Sequence, residues 1–422
     1  MKKLHAIEKI LSKASGNISV ETGEIVNCNI DFAEINDLYL QTIISHKEIE
    51  GKVWDKNKVA CVFDHYAPAS TPKAASIHKQ MREFSEANDL TYHFDINEGV
   101  CHQIMADKGL VRPGMIIIAT DSHTTTMGAF GAFGTGVGST DMAIAVDTGK
   151  LWFRVPEIME IRLEGSLRPG VTAKDVILHV LGDLKADGAI YKAMDFTGSY
   201  VEQLDVSDRM TICNMAVEIG AKTAYMQPND KVLEHVNSRT DYEYEVVHSD
   251  VGYEYAETHV YDVSQLDIKV AVPHSVDNVF DLTGVLSEKI TVNQGYIGSC
   301  TGGRLQDIKQ AYDIIKGNKI SKKSRLVITP ASKEVYQQAT DLGYISELLR
   351  AGATIVAPGC GACLGVHCGL LADGEVCVSS TNRNFPGRMG SKLASIYLAS
   401  PKVVAASVLY GHLVDPRTIE VI

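Results

Sequence analysis

The chain of 422 residues is short of several features, and each shortage closes off a class of function. No apolar stretch nears the roughly 20 residues that span a bilayer, so no membrane helix is expected. The opening "MKKLHAIEKILSKASG" is basic, yet Leu4, Ile7 and Leu11 recur at helical spacing with Glu and Lys between them. A secretory apolar core would be uninterrupted, so this stretch is expected to be an amphipathic helix ended near Gly16, and the protein to stay in the cytoplasm. Positive charge is also scarce: 40 Lys and Arg face 52 Asp and Glu, for a net charge of −12, with no long basic cluster. That balance repels a phosphate backbone and argues against a nucleic-acid ligand. The glycine-rich stretch "GAFGAFGTGVGSTDMA" over 128–143 contains neither G-x-x-x-x-G-K-S/T nor a true G-x-G-x-x-G, so a nucleotide site is weakly supported and close backbone packing explains it at least as well. The nine cysteines are odd in number and scattered, which is no disulfide framework; lone ones such as Cys28 and Cys61 read as small buried apolar groups.

What is present is an ordinary globular composition, 45% hydrophobic and 22% charged, long enough at roughly 150 residues per domain for about three domains. Short apolar runs at 59–63, 115–120, 325–330 and 353–358 read as buried parallel strands, and 71–88 and 332–350 as surface helices. Strands alternating with helices predict an α/β fold of three α/β/α domains, over 1–156, 157–283 and 284–422. In such sheets ligands sit beyond the carboxyl ends of the strands.

The unusual residues follow these strands. Asp64 and His65 follow the first, Asp121, Ser122 and His123 the second, and Cys360 and Cys363 the fourth. In "GYIGSCTGG", Cys300 stands between a strand-like run and a helix, with glycines that let backbone approach a bulky group. One distant thiol plus a C-x-x-C pair gives three ligands, which would leave one vertex of a metal cluster open for Lewis-acid chemistry. A structural zinc on Cys360, Cys363, His367 and Cys368 is the rival, and a thioredoxin-like redox pair fits poorly in so large a chain. His65 and His123 have aspartates beside or near them and His102 lies after a glycine-marked turn. A carboxylate partner fixes the tautomer of a histidine and raises its pKa, making it a usable proton donor. Asn214 and Glu218 are four apart in "TICNMAVEIG", on one side of an expected helix. Arg383 and Arg388 in "STNRNFPGRMGS" could grip carboxylates from a loop. The substrate suited to this set is a small polycarboxylate carrying a hydroxyl.

The segments "TDSHTTTMGAFGAFGTGVGSTDMA", "GSCTGG", "GCGACLG" and "NRNFPGRMG" closely resemble the aconitase superfamily, in particular the large subunits of the 3-isopropylmalate dehydratase and homoaconitase type, over nearly the whole chain. The resemblance implies a 4Fe-4S cluster held by Cys300, Cys360 and Cys363, whose fourth iron binds the substrate hydroxyl and carboxylate. It implies His65 as the acid assisting hydroxide departure, oriented by Asp64, with His102, His123, Asp121 and Glu218 as supporting pairs. Asn214 and Ser122 fall on family active-site positions, and Arg383 and Arg388 on carboxylate-binding ones. The implied activity is a hydro-lyase, foremost the isomerisation of 2-isopropylmalate to 3-isopropylmalate in leucine biosynthesis.

The family's proton-abstracting serine belongs to a mobile domain with a G-S-S-R-E-like loop, and no such segment occurs in the sequence. A small subunit supplying that serine is therefore the expected partner. The chain also has "INDLYLQT" where relatives carry a His-Asp-Gly-Thr-like run, placing Asn36 and Asp37 at the expected substrate-facing position. Homocitrate, homoaconitate or a smaller methylated malate thus stand beside isopropylmalate as substrates. A cluster-based iron or oxygen sensor acting on RNA is the alternative of a different class, and the acidic net charge argues against it.

Overall fold

A computed structural model describes residues 2–419. The N-terminal helix forms over Ala6–Ser15 and stops at Gly16, whose φ of 75° is open to glycine without cost. Just beyond it, β1 (Ile25–Asn29) pairs antiparallel with β7 (Lys150–Arg154), a ribbon that closes off the first layer. That layer is a fully parallel sheet of β2 (Phe32–Asn36), β3 (Val59–Val62), β4 (Tyr92–Phe94), β5 (Ile116–Ala119) and β6 (Phe133–Gly136), in the order β4-β3-β2-β5-β6. β3 and β5 are buried at every position, as their unbroken apolar runs require. β2 shows the alternation that sorts side chains between two cores: Ala33 and Ile35 join the core under the N-terminal helix, and Phe32 joins the core that continues into the other layers.

The second layer is a parallel sheet of β8 (Ile158–Glu164), β9 (Ala193–Thr197), β10 (Thr223–Tyr225) and β11 (Glu257–Asp262), ordered β10-β9-β8-β11. The third has seven strands: β12 (Lys269–Ala271), β13 (Val279–Asp281), β14 (Gln294–Ile297), β15 (Arg325–Ile328), β16 (Thr354–Ile355), β17 (Val376–Ser379) and β18 (Ser395–Leu398), in the order β13-β12-β18-β17-β14-β15-β16. β12 runs antiparallel to its neighbours and the rest are parallel. The α/β class is as expected, but β12 and β13 precede Gly284, so the chain enters the third layer earlier than the expected boundary. The reason is that an antiparallel hairpin on a sheet edge carries no glycine-rich boundary signal.

Two helices also differ from expectation. The Thr71-capped helix Pro72–Ala87 forms as read, with Thr71 Oγ1 accepting from Ala74 N at 3.1 Å. The run 332–350 instead breaks into Lys333–Asp341 and Tyr344–Ala351 at Gly343, whose φ is +79°. The glycine-rich stretch is a packing device: a Cβ on Gly128 would strike Ala224 O and one on Gly134 would strike Thr124 O, so the turn over Ser122–Phe130 lies directly against β6 and β10. Among the described residues, no helix is long and apolar enough to cross a membrane.

Candidate active site

In the first and third layers, the site loops leave the carboxyl ends of parallel strands. Beyond β3, Asp64 Oδ1 lies 2.6 Å from His65 Nδ1, so the imidazole donates there and turns Nε2 outward. Asp64 Oδ2 also accepts from Cys101 N at 2.9 Å, which fixes the carboxylate to the helix Cys101–Asp107 carrying His102. Burial alone would lower the pKa of His65, but the charges of Asp64 and Cys360 and hydrogen bonds to Asp37 and Asp64 hold it well above the ordinary value. Beyond β5, Asp121 Oδ1 accepts from His102 Nε2 at 2.9 Å and from His123 N at 2.7 Å, while Oδ2 stands 3.6 Å from His65 Nε2. Burial would raise the Asp121 carboxyl, yet the two histidines hold it well below the usual carboxylate range.

The turn after β2 departs from its expected role. Asp37 is fully buried and faces inward: Oδ1 accepts from His65 N at 2.9 Å, and Oδ2 from Tyr66 N and His78 Nε2, each at 2.9 Å. A carboxylate accepting three donors in the interior braces the Asp64–His65 loop and has no free face for substrate. Asn36 is also fully buried; its Oδ1 accepts from Leu38 N at 3.2 Å and its Nδ2 has no partner among the described residues.

The second layer contributes Asn214 and Glu218. The helix ends at Met215 and Glu218 lies in the following tight turn, Ala216–Ile219, rather than on one continuous helix, yet both side chains reach the same site. Glu218 Oε1 lies 2.6 Å from His123 Nε2 and accepts from Arg383 Nε at 2.8 Å. Burial opposes ionisation of Glu218, but His123 and Arg383 together hold its pKa below the ordinary value. Arg383 Nη2 donates to Ser122 Oγ at 3.0 Å, so residues of all three layers meet at one guanidinium. Asn214 is a brace: Nδ2 donates to Thr126 Oγ1 at 2.9 Å, and Oδ1 accepts from Thr301 Oγ1 at 2.7 Å and Asn382 Nδ2 at 3.3 Å.

The third layer brings the thiols. Cys300 follows β14 after Ser299, a non-glycine residue held at φ 70°, a strained conformation of the kind that collects at functional turns. Cys360 and Cys363 flank the turn after β16; Cys360 N donates to Asp64 O at 2.8 Å, tying the thiol loop to the acid–base loop of the first layer. Cys300, Cys360 and Cys363 are all buried, and burial pushes the Cys300 thiol up to about 12. Such thiols become thiolates through a metal rather than through solvent. Asn382, which the sequence reading passed over in favour of its arginine neighbour, bridges them: Nδ2 is 3.5 Å from Cys300 Sγ and Oδ1 3.8 Å from Cys363 Sγ. Arg388 Nη2 lies 3.7 Å from Cys363 Sγ.

These contacts test what the thiols can hold. A single zinc with Zn–S bonds of about 2.3 Å needs its sulfurs roughly 4 Å apart. Among the described residues, the only His, Cys, Asp or Glu trio whose ligand atoms all lie within 4.8 Å of one another is Asp64, His65 and Cys360. At least one pair of the three cysteine sulfurs is therefore more than 4.8 Å apart, wider than a single ion allows. The zinc set with His367 and Cys368 does not close either: His367 Nε2 donates to Pro68 O at 2.6 Å, and Nδ1 pairs with Cys368 Sγ at 3.0 Å. Buried sulfur donors, ringed by amide and guanidinium donors, fit an iron–sulfur cluster.

The comparison with known families agrees with this geometry, since the model of the Aconitase family (aconitate hydratase) matches residues 34–411. The chain belongs to the aconitase family. The 3-isopropylmalate dehydratase large subunit 1 of Methanopyrus kandleri is 48% identical to it over 97% of this chain and 98% of that protein. The probable methanogen homoaconitase large subunit of Methanothermobacter thermautotrophicus is 45% identical, over 99% of this chain and 98% of that one. Among solved structures, aconitase X of Thermococcus kodakaraensis in its holo-form shares the fold at 13% identity with a TM-score of 0.52, over 90% of each chain. Aconitase-family enzymes carry iron–sulfur clusters.

Proposed function

We propose that this chain is the cluster-bearing large subunit of a hydro-lyase of the 3-isopropylmalate dehydratase type, interconverting 2-isopropylmalate and 3-isopropylmalate. The carrying observation is that Asp64, His65 and Cys360 each bring a ligand-type atom within 4.8 Å of the others, so an imidazole stands beside one of the three thiols. A 4Fe-4S cluster on Cys300, Cys360 and Cys363 would supply a Lewis-acidic iron that polarises the substrate hydroxyl.

The remaining work falls to side chains of this chain. His65, with Nδ1–H held by Asp64, presents Nε2 toward Asp121 and the site, where it delivers a proton to the departing hydroxyl so that it leaves as water. Returning the water to the neighbouring carbon reverses the transfer at the same nitrogen. His102 and His123 secure Asp121 as an anion beneath His65, which keeps the imidazolium charged until the proton moves. Arg383 uses Nε on Glu218 and Nη2 on Ser122, leaving Nη1 to grip a substrate carboxylate in a fixed plane. Arg388, beside Cys363, is placed for a second carboxylate.

The base that removes the carbon-bound proton comes from a small subunit carrying a serine, the partner that the large-subunit names of the relatives support. Nine free thiols and a metal centre suit the reducing cytoplasm. Homoaconitate chemistry is the second reading, favoured by the 45% identity to a probable homoaconitase large subunit and by the altered Asn36 turn. Co-expression with the small subunit, anaerobic reconstitution and assay against isopropylmalates, homocitrate and methylated malates decides. Turnover of an isopropylmalate supports the first reading, turnover of homocitrate alone the second, and no turnover of any hydroxy acid removes both.

A further inference from the structure

Lys174 contradicts two rules at once. It is the second residue of the helix Ala173–Leu184, where a cation opposes the helix dipole, and it is only 4% exposed, where an ammonium loses its hydration. Its three donors are all engaged: Nζ lies 2.6 Å from Thr381 O, 3.2 Å from Ser380 O and 3.1 Å from Met215 Sδ. Ser380 and Thr381 immediately precede Asn382, which touches Cys300 and Cys363, and Arg383, which meets Glu218 and Ser122. Those two carbonyls accept from a cation of the second layer, so the ammonium ties the turn after β17 to a different sheet from the one that carries it.

We propose that Lys174 is a positioning residue that clamps the Ser380–Thr381 turn to the second layer and thereby aims Asn382 at the thiols and Arg383 at the substrate carboxylate. The inference rests on the reading of Arg383 as a carboxylate ligand. The surroundings are arranged to keep a charge there: Glu218 faces it from its tight turn, Asp307 from the helix Leu305–Ile315, and Cys300 and Cys363 from their loops, while Asp175 on its own helix turns away to Thr172 and Lys269. Burial nevertheless brings the ammonium down to about 8, and the nearby carboxylates resist further loss.

Hydrogen exchange on the full chain tests the clamp without any turnover. Lys174→Met should speed exchange of amides over 380–388 by tenfold or more and leave β14 and β17 as protected as before; unchanged exchange in that loop overturns the proposal. Should that variant fail to fold, Lys174→Gln, which keeps a donor and loses the charge, takes its place: faster exchange over 380–388 supports the clamp and unchanged exchange overturns it. In the reconstituted complex, Lys174→Met should raise KM about tenfold with kcat within threefold, because Arg383 is misaimed and the acid is untouched. An unchanged KM in an active complex also overturns the clamp. A wild-type complex without activity would count against the proposed reaction alone, leaving the exchange result to judge Lys174.

Discussion

Arg383 and Glu218 are paired at 2.8 Å across the seam between the third and second layers, and the same carboxylate oxygen lies 2.6 Å from His123 of the first. Three sheets thus converge on one oxygen atom. The site exists only when all three layers are docked.

Replacing Arg383 by Lys should weaken substrate binding more than a charge-conserving change suggests. A lysine cannot bond Glu218 and Ser122 and still present a planar fork to a carboxylate. Loss of one charge-assisted bond of about 1.5–3 kcal/mol predicts a fall of roughly 10- to 150-fold in kcat/KM, most of it in KM. Steady-state kinetics on the reconstituted complex checks it.

His65→Ala should leave iron and sulfide content intact and lower kcat by roughly 10²- to 10⁴-fold, the usual contribution of a placed proton donor. Asp37→Asn should lower kcat less and also lower the thermal midpoint, because the amide offers only one acceptor oxygen where Asp37 receives His65 N, Tyr66 N and His78 Nε2. Equal loss of cluster in the His65 variant would recast that residue as structural.

Asp175 gives stability a pH dependence of definite sign. It is fully buried and accepts from Thr172 N and Lys269 N, and burial raises its pKa from 3.8 to about 6. Because the folded value is the higher one, its contribution is fullest below about pH 4 and is lost as pH rises toward 6, by about 3 kcal/mol for roughly two units. The thermal midpoint of Asp175→Asn, relative to wild type, should therefore improve between pH 4 and pH 7. A difference independent of pH would show an ordinary aspartate.

Cys363→Ser should abolish bound iron, whereas Cys368→Ser should spare it, since Cys368 is engaged with His367 on the loop that reaches Pro68. Iron and sulfide analysis of the two variants measures this.

Much of the site was legible because its residues sit at the carboxyl ends of apolar strands. Asp64, His65, Asp121, His123, Cys300 and Cys360 could be placed from that rule alone, and the pairs His65 with Asp64 and His123 with Glu218 are now given distances. What the sequence hid is what depends on layers meeting. Asn382 matters because two thiols arrive from other loops, and Asp37 turns inward because His78 on a separate helix supplies a donor. β12 and β13 were missed because short antiparallel edge strands have neither the long apolar run nor the glycine punctuation of the central ones.

The most direct test of the account is Mössbauer spectroscopy of the chain reconstituted anaerobically with iron-57 and sulfide, before and after adding substrate. One iron of four should change its signal when substrate is added, as a site without a protein thiolate must. Four irons that all ignore substrate, or a protein that takes up zinc and no iron, would contradict it.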